Sequence, residues 1–580
     1  MAKQPSNAEV AATFNRLADL LAIRGENRFK VVAYRRAAES IAQLGEPLAS
    51  VRKRDALEAI PGVGEEIAEK IGDLLDTGSF KLLREVESQY PPTLAELLTV
   101  PDVGPKRART LYEQLGIDSL VSLKAAIEAG KLKGLPGFGK DLIARIAAGL
   151  EAPDSEERRM RLDRARALAG ELIAAMRERV PSLKQMELAG SARRFRETVG
   201  DLDLVAAAAD PAAVVDAFAA LPGVVRVEMR GPNRCRVALA SGPSADLRVL
   251  PEKHWGSLLH HFTGSKYHNI HLRDLALARG ARMSEYGYAV GDEIVTCATE
   301  EEVYAYLGLQ YVPPPMREET GEIELAGQNK LPPIVELKNL RGDLHMHTTW
   351  SDGTASVREM ALAARERGYA YICITDHTHG LGIANGLTPE RLRGQRAEID
   401  QVNAELAPFR VLQGAEVEVR ADGSLDFADD VLATLDFVIA AIHTSLRQGR
   451  DRLTERALAA IRNPYVDVLA HPTGRLVGGR TGGDFDLEAI YVAAAETGTA
   501  LEIDGDPARL DLRDTHARAA IAAGCTLSID SDAHSPAALD NITYGVGTAQ
   551  RAWVPPDHVL NTLTLKQLLA RREKRLNANS

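Results

Sequence analysis

Cysteine is scarce. The four in 580 residues, Cys235, Cys297, Cys373 and Cys525, stand far apart and form no C-x-x-C pair, which excludes a structural disulfide framework and fits a reduced, cytoplasmic chain. No run of about 18 apolar residues appears, so no membrane span is expected. The longest candidate, VLATLDFVIAAI, carries Asp436 and is short enough to be buried sheet. The opening MAKQPSNAEV has no apolar core and does not read as a secretory signal. Histidine is also thin, at 14 residues. A chain this long exceeds one core, so several domains are expected, and its 45% hydrophobic and 26% charged residues are ordinary for a globular protein.

The net charge of −11 is unevenly spread. Residues 1–320 hold 43 Lys and Arg against 45 Asp and Glu, and residues 321–580 hold 27 against 36. The acidity belongs to the C-terminal part. The near-neutral N-terminal part can still bind DNA through a local basic face, because phosphate contacts are local. Three echoes there read AIPGVGEEIAEKI from Ala59, TVPDVGPKRARTL from Thr99 and GLPGFGKDLIARI from Gly134. Each predicts a helix–hairpin–helix: a residue that tolerates a tight turn, then a helix whose first N–H groups are free for a phosphate. Gly62, Gly64, Gly104, Lys106, Gly137 and Gly139 are the candidate DNA-backbone contacts.

A long helical pattern from Arg158 to Val180 leads into a β-rich region, with strands expected in QMELAGSA, DLDLVAAAA, VVRVEMRG, RCRVALAS and ADLRVLP. Asp201 and Asp203, two apart on one strand, share a face, and Asp246 lies on a later strand. Three carboxylates on one sheet repel unless divalent cations sit between them, and a pair of such ions suits in-line phosphoryl transfer. The Gly190–Ser191 turn and Arg194 could hold a triphosphate.

After Arg341, strands alternate with helices, and YICITDH, FRVLQGAEVEV, LDFVIAAIH, VDVLAHP, TALEID and CTLSIDSDAH each end in a charged or imidazole residue. That is the pattern of an α/β barrel with polar groups at the C-terminal ends of its strands. In RGDLHMHTTWSDG, His345 and His347 share a strand face and Asp352 follows. Their candidate partners are His377, Glu416, His443, His471, Asp532 and His534. Mixed imidazole and carboxylate ligands suit Mn²⁺, Zn²⁺ or Fe²⁺, and nine ligands support about three ions with open positions. Metal-assisted phosphoester hydrolysis follows. Asp376 and Asp530, beside ligands, are candidate orienters.

GSARRFRETVGDLDLV, ADLRVLP and HHFTGSKYHNIHLRDLALARG, with the helical motifs before them and LGLQYVPPPMRE after, resemble the family X DNA polymerases over roughly residues 10–320. The resemblance implies a palm in which Asp201, Asp203 and Asp246 hold two Mg²⁺ or Mn²⁺ ions, with Asp246 positioning or deprotonating the nucleophile. It implies that Ser191, Arg194 and Gly200 contact the triphosphate, that Phe262 and Gly264 lie beside the sugar, and that Asn269 contacts a base and Arg273 the template side. Lys266 and Tyr267 extend that loop. The family's aromatic pair is here His261–Phe262, which leaves sugar discrimination open. RFKVVAYRRAA and PGVGEEIAEKI resemble the family's N-terminal domain, with Lys70 at the Schiff-base position of its 5′-deoxyribose phosphate lyases and Lys30, Tyr34 and Arg35 near the phosphate-binding positions. Glu66, four residues before Lys70, would favour the inert ammonium. Residues 340–575 resemble the polymerase and histidinol phosphatase (PHP) domain, a distorted (β/α)₇ barrel, and all nine of its ligand positions match.

The expected fold is therefore multidomain α + α/β. It comprises a helical lyase-like domain (1–90), helical fingers (91–151), a nucleotidyltransferase palm with a mixed sheet (152–252), a thumb (253–320), a linker (321–340) and the barrel (341–575). The expected activity is gap-filling DNA synthesis with 3′–5′ exonucleolytic trimming, on gapped or nicked DNA and with dNTPs, by a cytoplasmic, nucleoid-associated monomer. Abasic-site cleavage, a small-molecule phosphatase in the barrel, or a mainly DNA-structure-binding role remain as alternatives.

Overall fold

The computed structural model describes residues 5–579 apart from Gln43, Gly45, Glu46, Pro101 and residues 152–158. The expected palm start at residue 152, and Pro101 of the second helical echo, lie outside the described residues. The chain divides into two units, Met1–Arg158 and Arg159–Ser580.

The described part of the first unit contains helices and no strand. Its first helix, Asn7–Arg24, starts at a capping box between Ser6 and Glu9 and stops at Gly25, whose φ is 88°. Val10, Phe14, Leu17 and Leu21 follow the helical spacing and are buried in one core with Ile71, Phe80, Leu111 and Ile146. The three echoes share one backbone device. The residue after the proline position turns through positive φ, at 80° for Gly62, 68° for Asp102 and 85° for Gly137. Glycine enters this region freely, and aspartate is among the few other residues that do. Helices Glu65–Thr77, Pro105–Leu115 and Lys140–Glu151 then begin. Gly64 and Gly104 precede the first two and offer no side-chain cap.

In the second unit a five-stranded mixed sheet runs in the order Gln185–Leu188, Leu202–Ala207, Ser244–Leu250, Arg234–Leu239, Val224–Gly231. Its second and third strands are parallel and set Asp203 opposite Asp246. The third and fourth are antiparallel and set Arg236 opposite Asp246. The expected strand QMELAGSA ends at Leu188, because Gly190 turns with φ 60° into the short helix Gly190–Arg193. Helices Leu162–Arg179 and Pro211–Ala219 pack on one face through Leu172, Met176, Val214 and Phe218. Helix Trp255–Thr263 packs on the other through Trp255 and Leu258.

A small antiparallel sheet of Arg282–Ser284, Gly287–Val290 and Glu293–Val295 follows, with helices Lys266–Ala278 and Glu300–Tyr306. Polar groups are built into its core. His268 bridges Glu322 (2.7 Å) and the Tyr304 hydroxyl (2.8 Å), all three buried. Glu300 accepts from Arg193 (2.7 Å) and Arg317 (2.6 Å). The segment 321–340 is tied down at both ends: Ile323 and Ala326 join this core, and Val335 joins that of the barrel.

Seven parallel strands in sequence order, from Gly342–Asp343 to Leu527–Asp530, form the barrel. Alternation sorts their side chains into layers. Tyr371, Cys373, Leu412, Phe437, Ile439, Val468 and Ala500 fill the inner base, which Leu560 and Leu568 plug. Further along the same parity come Glu416, Glu418, Glu502, Asp504, Asp530 and Asp532, all buried. First and last strands meet at a seam stitched by side chains. The Leu344 amide donates to Asp530 (2.8 Å), the Ser531 amide to Asp343 (3.2 Å), and the Asn561 amide group to Asp530 (2.8 Å). Met346 then bridges Ala533 in parallel.

Two candidate metal centres

The palm centre starts from register. Asp203 and Asp246 sit side by side on parallel strands, and Asp201 lies just before the first of them, 3.6 Å from the same Arg236 that bonds Asp246. Burial, with Asp201 and Asp246 nearby, pushes the Asp203 carboxyl up to about 7. Burial also raises Asp246, against the pull of Arg236. Arg236 donates to Asp246 at 2.6 Å and lies 3.6 Å from Asp201, so a guanidinium now neutralises the pair. Alternation in RCRVALAS puts Arg234 and Arg236 on one face, and only the antiparallel register selects Arg236 as the one opposite Asp246. Gly190 is pressed against the triad: a Cβ there would lie 2.0 Å from an Asp203 carboxylate oxygen.

The other palm and thumb candidates gather unevenly. Ser191 is half-buried in the turn after Gly190, and Gly200 is exposed. Arg194 donates to the Thr263 carbonyl and, at 3.1 Å, to Glu318. A Cβ on Gly264 would approach Arg194 to 3.1 Å. The Arg248 guanidinium lies 5.5 Å from the Phe262 ring centre, which neighbours the His261 ring. Asn269 donates to the His261 carbonyl (2.8 Å), while its buried Oδ1 has no partner among the described residues. Arg273 is half-buried, and the exposed Lys266 reaches over Tyr267.

The barrel brings all nine of its candidates to one end. Glu416 is the hub: its carboxylate lies 2.7 Å from His377, 2.9 Å from His471, 3.2 Å from His443, 3.5 Å from His345 and 3.6 Å from His347. Asp532 lies 3.1 Å from His347. Asp352 lies 3.6 Å from His377 and 3.5 Å from His534. Three overlapping groups have ligand atoms within 4.8 Å of one another: His347, Asp352, His377 and His534; His345, His347 and Asp532; and His377, Glu416 and His443. His345 Nε2, both His347 nitrogens and Glu416 Oε2 are buried without a hydrogen-bond partner among the described residues. Buried polar atoms left unpaired are costly, and converging ones of this chemistry fit divalent cations.

Groups around the nine hold them in place, and most escaped sequence reading. Glu502 faces His345 Nδ1 at 2.6 Å, and Glu418 faces His443 Nδ1 at 2.7 Å, which leaves each Nε2 for the cluster. The spacing Glu416–Glu418 and Glu502–Asp504 carried the signal, since residues two apart share a strand face. Arg509 lies 3.4 Å from Asp504 and 3.6 Å from Asp532. Asp376 accepts from the Thr348 amide (2.7 Å) and hydroxyl (2.6 Å), Ser351 and Gln395, and so fixes the loop that carries Asp352. Asp530 belongs to the seam. A Cβ on Gly353 would come within 2.6 Å of the His347 backbone, so that loop needs glycine to close. Charge is divided inside the cluster. Burial opposes protonation of His443 and His534, but adjacent carboxylates raise both to about 9. Burial holds His347 and His471 near 3.

In the first unit three of the basic candidates are ion-paired. Lys30 lies 3.0 Å from Glu26, Arg35 is bonded to Asp19, and Lys70 is 2.7 Å from Glu66. Burial raises the Tyr34 hydroxyl, and Glu66 adds to that. Lys106 is exposed at the start of its helix, and a Cβ at Gly64, Gly104, Gly137 or Gly139 would meet nothing within 4 Å.

Comparison with known proteins bears on both units. Family models match at residues 5–80 (helix-hairpin-helix domain), 94–152 (SAM-like helix-hairpin-helix tandem), 258–318 (DNA polymerase beta thumb) and 343–490 (PHP domain). A DNA polymerase/3′-5′ exonuclease PolX of Bacillus subtilis is 40% identical over 558 residues, covering 96% of this chain and 97% of that one. A probable phosphatase of Thermoanaerobacter is 28% identical over 255 residues, 40% of this chain and 96% of that protein. A probable phosphatase of Edwardsiella ictaluri is 32% identical over 229 residues, 38% and 89% respectively. Among the described residues no helix is long and apolar enough to cross a membrane.

Proposed function

Since the chain belongs to the family X DNA polymerases that carry a PHP domain, we propose that it fills short gaps in damaged DNA and trims 3′ ends in the same polypeptide. The observation that carries this reading is the pairing of two separate ligand sets, one acidic and one rich in imidazole, in a chain aligned nearly end to end with a polymerase/exonuclease.

Asp201, Asp203 and Asp246 would hold two Mg²⁺ or Mn²⁺ ions, and the nine barrel residues about three ions of Mn²⁺, Zn²⁺ or Fe²⁺. Bound there, such ions polarise phosphoryl oxygens and make water or a hydroxyl easier to deprotonate. The chain does the rest. Asp246 orients the primer 3′-hydroxyl and accepts its proton, and it is freed to do so when Arg236 lets go of Oδ2. Gly190 keeps the Asp203 carboxylate in place. Ser191, Arg194 and Gly200 face the triphosphate, with Phe262 and Gly264 beside the sugar, Asn269 at the base and Arg273 toward the template. In the barrel, Glu418 and Glu502 hold the rings of His443 and His345, and the loop fixed by Asp376 carries Asp352. We keep the expected domain order, with residues 321–340 packed against thumb and barrel rather than free, and with helical motifs gripping the DNA backbone around the gap. We assign the protein to the nucleoid-containing cytoplasm, as a monomer.

A 5′-labelled primer opposite a short gap tests this reading. With dNTPs the primer should lengthen to the gap's end, and without them it should shorten from its 3′ side. The probable phosphatases that match the barrel motivate a second reading, hydrolysis of small monoesters; a primer left intact while a soluble monoester is cleaved would select it. Lys70 is the candidate lyase nucleophile. Borohydride should trap an adduct on nicked abasic DNA that Lys70→Ala abolishes; an adduct that survives the substitution removes Lys70 from that role.

A further inference from the structure

A second kind of site, built by none of the metal-ligand candidates, lies where the palm loop Phe195–Thr198 meets the barrel. A cavity of about 190 Å³ is lined there by Arg159, Arg196, Arg513 and Arg551, with Glu197 and Asp514 as the only carboxylates of its lining among the described residues. Both acids are already committed. Glu197 is bonded to Arg475, which is not part of the lining, and Asp514 takes two bonds from Arg551, at 2.8 and 2.7 Å. Arg551 also shares Glu318 with Arg194, at 2.7 and 3.1 Å.

Arg159 donates to the Thr198 hydroxyl (2.9 Å) and carbonyl (2.6 Å), and the other two guanidinium groups have only long carboxylate contacts among the described residues. Arg196 comes no nearer than 4.0 Å to Glu318, and Arg513 no nearer than 3.9 Å to Asp514. The Nε of Arg513 is buried and has no acceptor among the described residues. Such a donor costs free energy unless something accepts from it. Arg513 also stands at the start of helix Asp514–Ala522, whose first-turn carboxylate, Asp514, accepts from the Thr515 amide (2.9 Å) and so offsets the helix dipole, leaving the guanidinium groups as the source of positive potential. His516 on that helix, held near 3 by burial and then by Arg513 and Arg475, stays neutral and adds no charge of its own.

We propose that this cavity binds a phosphoryl oxyanion, held in the forks of Arg196 and Arg513 between palm and barrel. Guanidinium forks match phosphate oxygens two at a time. The volume lies below the ~300 Å³ at which pockets for drug-sized ligands begin, so the occupant is a single phosphate or diphosphate group. Its source is either a free inorganic anion or one backbone phosphate of bound DNA.

The test uses the full-length, metal-loaded protein and the Arg196→Met/Arg513→Met variant, with chloride balancing ionic strength. If the source is free, inorganic phosphate should raise the melting temperature of wild type by about 2 °C or more beyond any rise in the variant. If the source is DNA, phosphate should act alike on both, but in phosphate-free buffer the variant should bind gapped duplex several-fold more weakly. The slope of log affinity against log salt should then fall by about 1–2. A second variant, Thr548→Glu, places a carboxylate on the cavity wall. It should melt higher than wild type without phosphate and lose the phosphate or DNA effect. Equal phosphate responses together with equal DNA affinities, or a Thr548→Glu protein that still responds as wild type does, would overturn the proposal.

Discussion

The palm and the barrel both crowd acidic groups at strand ends, and they balance the charge by different means. The palm sets three carboxylates at a partly open edge, with Asp201 45% and Asp246 28% exposed, and borrows one guanidinium from the neighbouring strand. The barrel buries most of its set, with only Asp352 and His534 at the rim (36% and 38% exposed), and mixes acids with six imidazoles, several of whose ring nitrogens have no hydrogen-bond partner among the described residues. The difference matches the task each would perform. An open acidic edge is completed by a substrate that brings its own phosphates and ions. A buried imidazole cluster, with its rings fixed by Glu418 and Glu502, is formed before any substrate arrives.

The sharpest way to break the comparison is at the barrel's hub. Glu416→Gln removes the charge that five imidazoles face, and trimming should fall on the order of 100-fold or more, with loss of bound metal, while nucleotide addition on a gapped primer stays near wild type. Gly190→Ala attacks the palm alone. Displacing Asp203 by about 1 Å should cost nucleotide addition on the order of 100-fold, read as single-turnover extension, and leave trimming intact. Glu502→Gln or Glu418→Gln should weaken metal retention by the barrel about 10–100-fold, measured by equilibrium dialysis.

At the joint between palm and barrel the expected effect is on stability rather than on either activity. Burial would raise Glu318, but Arg194, Arg551 and Arg196 outweigh it and hold the carboxyl at about 2. A depressed folded value stabilises the protein above the unfolded carboxyl range, and the gain is lost as pH falls from about 4.5 toward 2. Glu318→Gln should therefore cost about 3 kcal/mol at pH 7, with the gap to wild type in urea unfolding closing as the pH drops through that window. A gap that stays constant with pH would show that the network contributes packing and no charge.

Much of this was legible in the sequence because periodicity is local. The i, i+2 rule put His345 with His347 and Asp201 with Asp203, and the repeated Pro-Gly/Asp turns announced three helix starts. What stayed hidden depends on partners distant in sequence. Arg236 matters because antiparallel register sets it opposite Asp246, a pairing that spacing along one strand does not specify. Asp530 looked like a ligand's neighbour but serves the barrel seam, because closing seven strands leaves the first beside the last. Segment 321–340 has the composition of a linker, yet a few apolar side chains, among them Ile323, Ala326 and Val335, suffice to anchor it.

The most direct test of two independent centres in one chain is a time course on a 5′-labelled gapped primer, with and without dNTPs. It compares wild type, Asp201→Ala/Asp203→Ala and His345→Ala. The palm variant should shorten the primer without extending it, and the barrel variant should extend it without shortening it. Loss of both activities in either variant that still melts like wild type would contradict the account.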